Sequence, residues 1–167
     1  WLDYELDFTA SSASTTIQLV GSSTAGGHYI GLDNASLKLQ SGGAELLVNG
    51  GFENTGSTFV NPGGGVASLG IGSTVIPGWT VVNAETAWAT NANSYGPQTP
   101  YGGMFLDLSG FHDSPPYGGG AQTGTTTPGQ KDRLKFSVGS DFGSSDYAGP
   151  VGVVASANTT ASNFTTT

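Results

Sequence analysis

The sequence predicts an all-β fold, an antiparallel β-sandwich, from its composition, its turn residues and its side-chain alternation. Of 167 residues 28 are Gly and only 10% are charged, and Ser and Thr are abundant. Gly and β-branched residues penalise helix and suit turns and pleated surfaces. Pro-Gly and Gly-rich punctuation cuts the chain into short stretches, within which apolar and polar residues alternate with the period of a half-buried strand. The length allows one domain with a sizeable core.

Each element follows in order. In "DYELDFTA", Tyr4, Leu6 and Phe8 alternate with Asp3, Glu5 and Asp7, giving a strand with one acidic wet face. "TTIQLVG" places Ile17 and Leu19 on one face, and "HYIGLDNASLKL" runs as a strand from His28 to Leu39 with Ile30 and Leu37 in it. "QSGGA", residues 40–44, reads as a polar linker, and the strand pattern restarts at "ELLVNGGFE". "STVIPGWTVVN" sets a Pro-Gly turn before Trp79, and "GGMFLDLSG" is a buried strand whose Asp107 reads as a hydrogen-bonding core carboxylate. "GGGAQTGTTTPGQKDRLKFSVGSD" reads as a hairpin closed at Pro128-Gly129, with Leu134, Phe136 and Val138 inward and Arg133, Lys135 and Ser137 outward. "GPVGVVASA" and "TTASNFTTT" are the last two strands. Residues 86–103 and 110–120 read as long loops, a length that signals either function or a packed structural segment. Trp1 and Trp79 read as core, and Lys38, Lys131, Arg133 and Lys135 as solvated strand faces.

Charge and chemistry exclude several classes of function. Four Lys and Arg against twelve Asp and Glu leave a net charge of -8, which offers nothing to nucleic-acid phosphates or anionic headgroups. The absence of Cys removes disulfides and thiolate metal sites and leaves a hard cation as the available metal. No run of eighteen apolar residues exists, and the chain starts at Trp1 without a basic and apolar leader, the expectation for a soluble chain that is processed or a fragment. His28 and His112 stand apart, with no nucleophile-elbow glycine pattern beside a serine. Nothing in the spacing of Glu45, Glu53, Glu85, Asp107 and Asp113 sets two carboxylates at a glycosidase separation, so the expectation is a non-catalytic protein.

Five blocks together, "FTASSASTTIQLVGSSTAGGHYIGLDNASLKL", "VNGGFE", "GSTVIPGWTV", "FLDLSG" and "GGGAQTGTTTPGQKDRLKFSVG", resemble the choice-of-anchor C type domain of secreted bacterial proteins. That domain is similar in turn to galactose-binding-like jelly rolls and to calcium-bearing carbohydrate-binding modules. The resemblance implies a sandwich of galactose-binding-like jelly-roll type in an extracellular or cell-surface protein. The order of blocks departs from the family, where the part matching residues 45–167 comes first and the part matching residues 1–39 last. Joining "ASNFTTT" to "WLDYELDFTA" restores the family order. Three arrangements produce this: a circular permutant closed on itself, with five linker residues spanning up to roughly 17 Å; one period of a tandem array; or donation of residues 1–39 to a neighbouring subunit. In each, strands carrying Tyr4, Leu6, Phe8, Ile17, Leu19, Ile30 and Leu37 complete a sandwich, the chain's own or another's.

The resemblance also implies candidate sites. A structural Ca2+ would lie between Glu53 and Asp33, with Asn34 and backbone carbonyls near Asn49 and Gly50 as further ligands, since calcium takes six to eight oxygens. The alternative is that Asn49 and Asp33 only hydrogen-bond turn backbone. Sugar binding needs exposed aromatic faces beside planar polar groups. Trp88, Tyr95, Tyr101, Phe111 and Tyr117 fall in the two long loops among Asn91, Asn93, Gln98 and Asp113. The alternative there is aromatic lids or subunit contacts. The expected function is a building block of an extracellular filament, sheath or surface layer, partnered by further copies of itself or by tandem repeats. The second expectation is a carbohydrate-binding module that takes polysaccharide.

Overall fold

The computed structural model describes residues 1–23, 29–56, 58–140 and 150–166. Among them there is no helix, and eleven strands form two antiparallel sheets packed as a β-sandwich. The strands are β1 (Leu2–Thr9), β2 (Ser14–Gly21), β3 (Gly31–Leu39), β4 (Val66–Leu69), β5 (Thr80–Val82), β6 (Thr86–Thr90), β7 (Met104–Asp107), β8 (Gly119–Thr125), β9 (Lys131–Gly139), β10 (Gly152–Ala157) and β11 (Thr160–Thr165). One sheet runs β1-β9-β3-β7-β6-β4 and the other β11-β10-β2-β8-β5.

The alternation read in the first forty residues places the core. Leu6, Phe8, Ile17, Leu19, Ile30 and Leu37 are all buried between the sheets, and Tyr4 packs from the margin against Phe136 and Phe164. These strands pair within this chain: β1 with β9, β2 between β10 and β8, and β3 between β9 and β7. The Tyr4 hydroxyl donates to the Thr165 carbonyl at 3.0 Å, so the last strand ends against the first. The third strand starts at Gly31 rather than at His28, and His28 lies outside the described residues.

Three other readings are corrected. "ELLVNGGFE" is not a strand but an irregular segment laid along β3. Leu46 N–H donates to Leu37 O and Ala35 N–H to Gly50 O, both at 2.9 Å, while the Glu45 carboxylate accepts from the N–H groups of Leu37, Leu46 and Leu47. The cause is a β-bulge in β3 between Asp33 and Ser36, where Asn34 takes φ of 55° and the extra residue turns its N–H away from the ladder. Gly50 is needed at this crossing, because a Cβ there would lie 1.8 Å from the Ala35 carbonyl oxygen. The Gln122 amide, from the other sheet, clamps Val48 through its N–H and C=O.

The second correction concerns Pro128-Gly129. β8 and β9 flank it but do not pair: β8 joins β2 and β5, and β9 joins β1 and β3. The turn carries the chain from one sheet to the other, since each strand buries its apolar row against the facing sheet. The third is that residues 86–90 are strand β6, not loop, and they carry Trp88 into the core.

Candidate functional site

The outer face of the six-stranded sheet holds a second, smaller apolar cluster, and the candidate site is built on it. Antiparallel partners share a face, so Ala87, Asp107, Gly31 and Gly139 form one row across β6, β7, β3 and β9. Val66, Ala89 and Phe105 form the next row. Trp1 lies over the glycines of the first row, where a Cβ on Gly139 or Gly31 would come within 2.4 or 2.8 Å of its ring. Its edge meets Phe105 and Tyr101 at centroid distances of 5.9 and 6.1 Å, and its indole N–H donates to Gln98 O. Trp1 is therefore a half-buried outer-face residue, contrary to the core position expected of it.

Two loops wall this face. In the 91–103 loop the Asn91 side chain binds Thr99 and Gly102, and the Asn93 side chain binds Thr90, Tyr95, Gly96 and Pro97. These asparagines brace the loop that carries Tyr95. Glu85 accepts the Phe111 N–H at 3.2 Å and so ties down the backbone of the second loop at that residue. Tyr95 and Phe111 are 47% and 49% exposed and stand perpendicular, 5.9 Å apart, as one wall of a cleft. Asp107 and Asp113 line it, with Phe105, Tyr29 and Pro97. Its volume is about 160 Å³, which at roughly 30 Å³ per liquid water is room of the order of one sugar ring. Two further hollows lie beyond it, one sharing Tyr29 and Pro97 and reaching Trp1 and Gln98, the other lined by Asp3, Glu5, Asn34 and Lys135.

Asp107 is almost fully enclosed, and loss of solvation pushes its carboxyl up to about 6 despite the hydrogen bonds that hold it down. Oδ1 accepts from Ile30 N–H, Ser109 N–H and the Ser109 hydroxyl. The same hydroxyl lies 3.2 Å from Asp113 Oδ1, and the charge of Asp113 raises Asp107 further.

No match was found among family models, curated proteins or solved structures. The site is therefore read from its own geometry.

Of the aromatics expected to meet sugar, Tyr95 and Phe111 stand in the cleft, and Tyr101, 37% exposed, lies beyond Trp1 with its hydroxyl donating to Asp3. Trp88 and Tyr117 are corrected: they are 0% and 2% exposed, so neither can offer a face to a ligand in solvent. Trp88 sits inside the core with its indole N–H on Phe52 O. Phe105, Asp107 and Trp1 were missed as site residues. Strict alternation in "MFLD" carries the signal for two of them, since an inward Met104 and Leu106 require an outward Phe105 and Asp107.

The candidate calcium ligands divide. Asp33 and Glu53 lie near one another on either side of Gly51, where an added Cβ would be 3.9 Å from both Asp33 Oδ1 and Glu53 Cγ. Burial drives the Asp33 carboxyl up to about 6, hydrogen bonds from Thr99 Oγ1 and Asn34 N–H oppose this, and the Glu53 charge adds to it. Glu53 Oε1 accepts the N–H groups of Gly103 and Met104, both at 2.8 Å. Asn34 instead turns its amide toward Ser137 Oγ at 3.4 Å. Asn49 and Gly50 are committed elsewhere. The Asn49 carbonyl takes the Phe52 N–H and the Trp79 indole N–H, its side chain closes on Asn54, and the Gly50 carbonyl takes Ala35 N–H. Among the described residues no three acidic, His or Cys side chains gather to hold a metal, so a cation here would rest on Asp33, Glu53 and neutral oxygens. Such a pair fits a hard cation in one respect: a positive charge between them would relieve the like-charge repulsion that raises Asp33.

Proposed function

We propose that the protein is a non-catalytic extracellular β-sandwich module that binds glycan on the outer face of its six-stranded sheet. The observation that carries this reading is the hydrogen-bonded cleft whose wall is the half-exposed pair Tyr95 and Phe111. Aromatic faces stack on the C–H surfaces of pyranose rings, and ring-sized clefts with a few convergent polar groups are where small ligands bind. The wild type is expected to be retained on at least one insoluble polysaccharide of a broad panel, and Phe111→Ala or Tyr95→Ala to abolish retention without shifting the melting temperature. Retention that survives both substitutions removes the cleft from the reading; a wild type that no glycan retains removes the reading itself.

A building block of a filament, sheath or surface layer is the second reading, and one observation favours it. β1 and β11 are the outermost strands of their sheets on the same side of the sandwich, eight and six residues long, and neither carries a proline. Open edges of this kind pair with other chains. Strand donation would require β2 and β3 to leave interior positions, so edge-to-edge contact between closed sandwiches is the economical form of this assembly. Electron microscopy and size exclusion of native material distinguish polymer from monomer.

Calcium belongs to both readings as a structural ion held by Asp33 and Glu53. Adding it in excess to chelator-treated protein is expected to raise the melting temperature, because a ligand that binds only the folded state stabilises by mass action, about 2.7 kcal/mol at a hundredfold excess over its Kd. Glu53→Gln should remove most of that response. A melting curve indifferent to chelator and calcium rejects the ion.

A further inference from the structure

We propose that the glycan taken by this cleft carries free ammonium groups, as a de-N-acetylated amino sugar does. The inference rests on the glycan reading above and names the chemical class of the ligand. Three independent features of the outer face point to a cation.

The first is the distribution of charge. All four basic side chains of the protein, Lys38, Lys131, Arg133 and Lys135, lie on β3 and β9, away from the cleft. Three of them face acidic partners, Arg133 on Asp7 and Glu5, Lys135 on Glu5, and Lys38 on Glu45. The residues lining the cleft include Asp107 and Asp113 and no base. In a protein of net charge -8 this leaves a negative hollow with low-dielectric walls, which concentrates cations and repels uronate or sulfated sugars.

The second feature is the place of Asp107 in the lining. Its carboxylate lines the cleft with Asp113, and the hydrogen bonds it accepts from described residues fall on Oδ1. An ammonium brings donors and charge together, and hydrogen bonds with an ionised partner are roughly twice as strong as neutral ones. A sugar hydroxyl brings a donor without charge.

The third is the aromatic lining. Tyr95, Phe111 and Tyr29 line the cleft together with these carboxylates, and ring faces attract a cation through their quadrupoles.

The test uses the full chain and compares short oligomers of glucosamine, of N-acetylglucosamine and of glucose by calorimetry at moderate salt. The glucosamine oligomer is expected to bind at least about tenfold tighter than either neutral one. Asp113→Asn, which suits the left-handed backbone at this position (φ 47°), is expected to erase most of that preference. Glu45→Gln removes the same charge away from the cleft and should leave the preference intact. Three outcomes overturn the inference. Neutral oligomers binding as well as glucosamine would end the ammonium preference and leave the glycan reading standing. Equal losses in Asp113→Asn and Glu45→Gln would reduce it to attraction by net charge. Failure of all three oligomers, and of the polysaccharide panel, would take the glycan reading down as well.

Discussion

Deleting residues 1–39 is expected to abolish the cooperative unfolding transition. β2 and β3 are interior strands, so their loss divides each sheet: β10 and β11 separate from β8 and β5, and β9 separates from β7, β6 and β4. The core loses Leu6, Phe8, Ile17, Leu19, Ile30, Leu32 and Leu37 from between the sheets, each worth roughly 1.5 to 3 kcal/mol of burial for a large aliphatic or aromatic side chain. A domain stable by about 5 to 15 kcal/mol does not survive that. The contrasting construction starts the chain at Gln40 and places residues 1–39 after Thr167. Because Tyr4 already meets Thr165, a short flexible link should close the new junction, and stability should return to within about 1 to 2 kcal/mol of the parent, the scale of loop-closure differences. Circular dichroism and thermal melts of both chains decide it. A truncated chain that melts cooperatively as a monomer would mean that the first three strands are dispensable to the sandwich, against every pairing they make here.

The parts of this fold that sequence pattern could reach are the strands with one wet and one dry face. β1, β2 and β9 alternate cleanly, and their inward residues are the core. β6 escaped because it is wet on neither side: Ala87 and Ala89 lie under the outer-face cluster while Trp88 enters the core, so "TAWAT" shows no alternation. The period of two tells which face a residue occupies but not which strand lies beside it, and that is why the Pro128-Gly129 turn passed for a hairpin. The site divides along the same line. Tyr95 and Phe111 were legible as loop aromatics, whereas Trp88 and Tyr117, equally aromatic and set in apparently similar stretches, are enclosed by residues distant in sequence. Asp33 and Glu53 came together through the family resemblance, and the bulge at Asn34 that brings their segments into contact has no signature stronger than "DNAS".

Raising the pH from about 4 to about 7 is expected to destabilise the metal-free protein, the reverse of the behaviour of a domain whose carboxylates are paired. The carboxyls of Asp33 and Asp107 are pushed up to about 6 by burial, and that of Asp132 is raised by the same cause. Asp132 points into the sandwich between the partner positions Phe8 and Leu39, and neither of its oxygens has a hydrogen-bond partner among the described residues. A carboxyl whose pKa is higher folded than unfolded binds more protons in the folded state, so stability falls as pH rises from the unfolded value toward the folded one. Below about 3.8 none of these groups costs anything; for Asp33 and Asp107 the cost grows up to about 6 and is constant above. For Asp107 a shift from 3.8 to about 6, at about 1.4 kcal/mol per unit, is a penalty of about 3 kcal/mol at neutral pH. Asp132→Leu exchanges an unpartnered buried carboxylate for an apolar side chain of similar size, and should raise stability at pH 7 by about 1 to 3 kcal/mol with little gain at pH 4. Calcium bound between Asp33 and Glu53 should flatten the Asp33 share of the slope, leaving those of Asp107 and Asp132. Melts across this range, with and without chelator, read all three contributions. A melting temperature that climbs steadily from pH 4 to pH 7 in the chelated protein would show that these carboxylates are held as ions by partners, and would overturn the assignment of burial as the dominant influence on them.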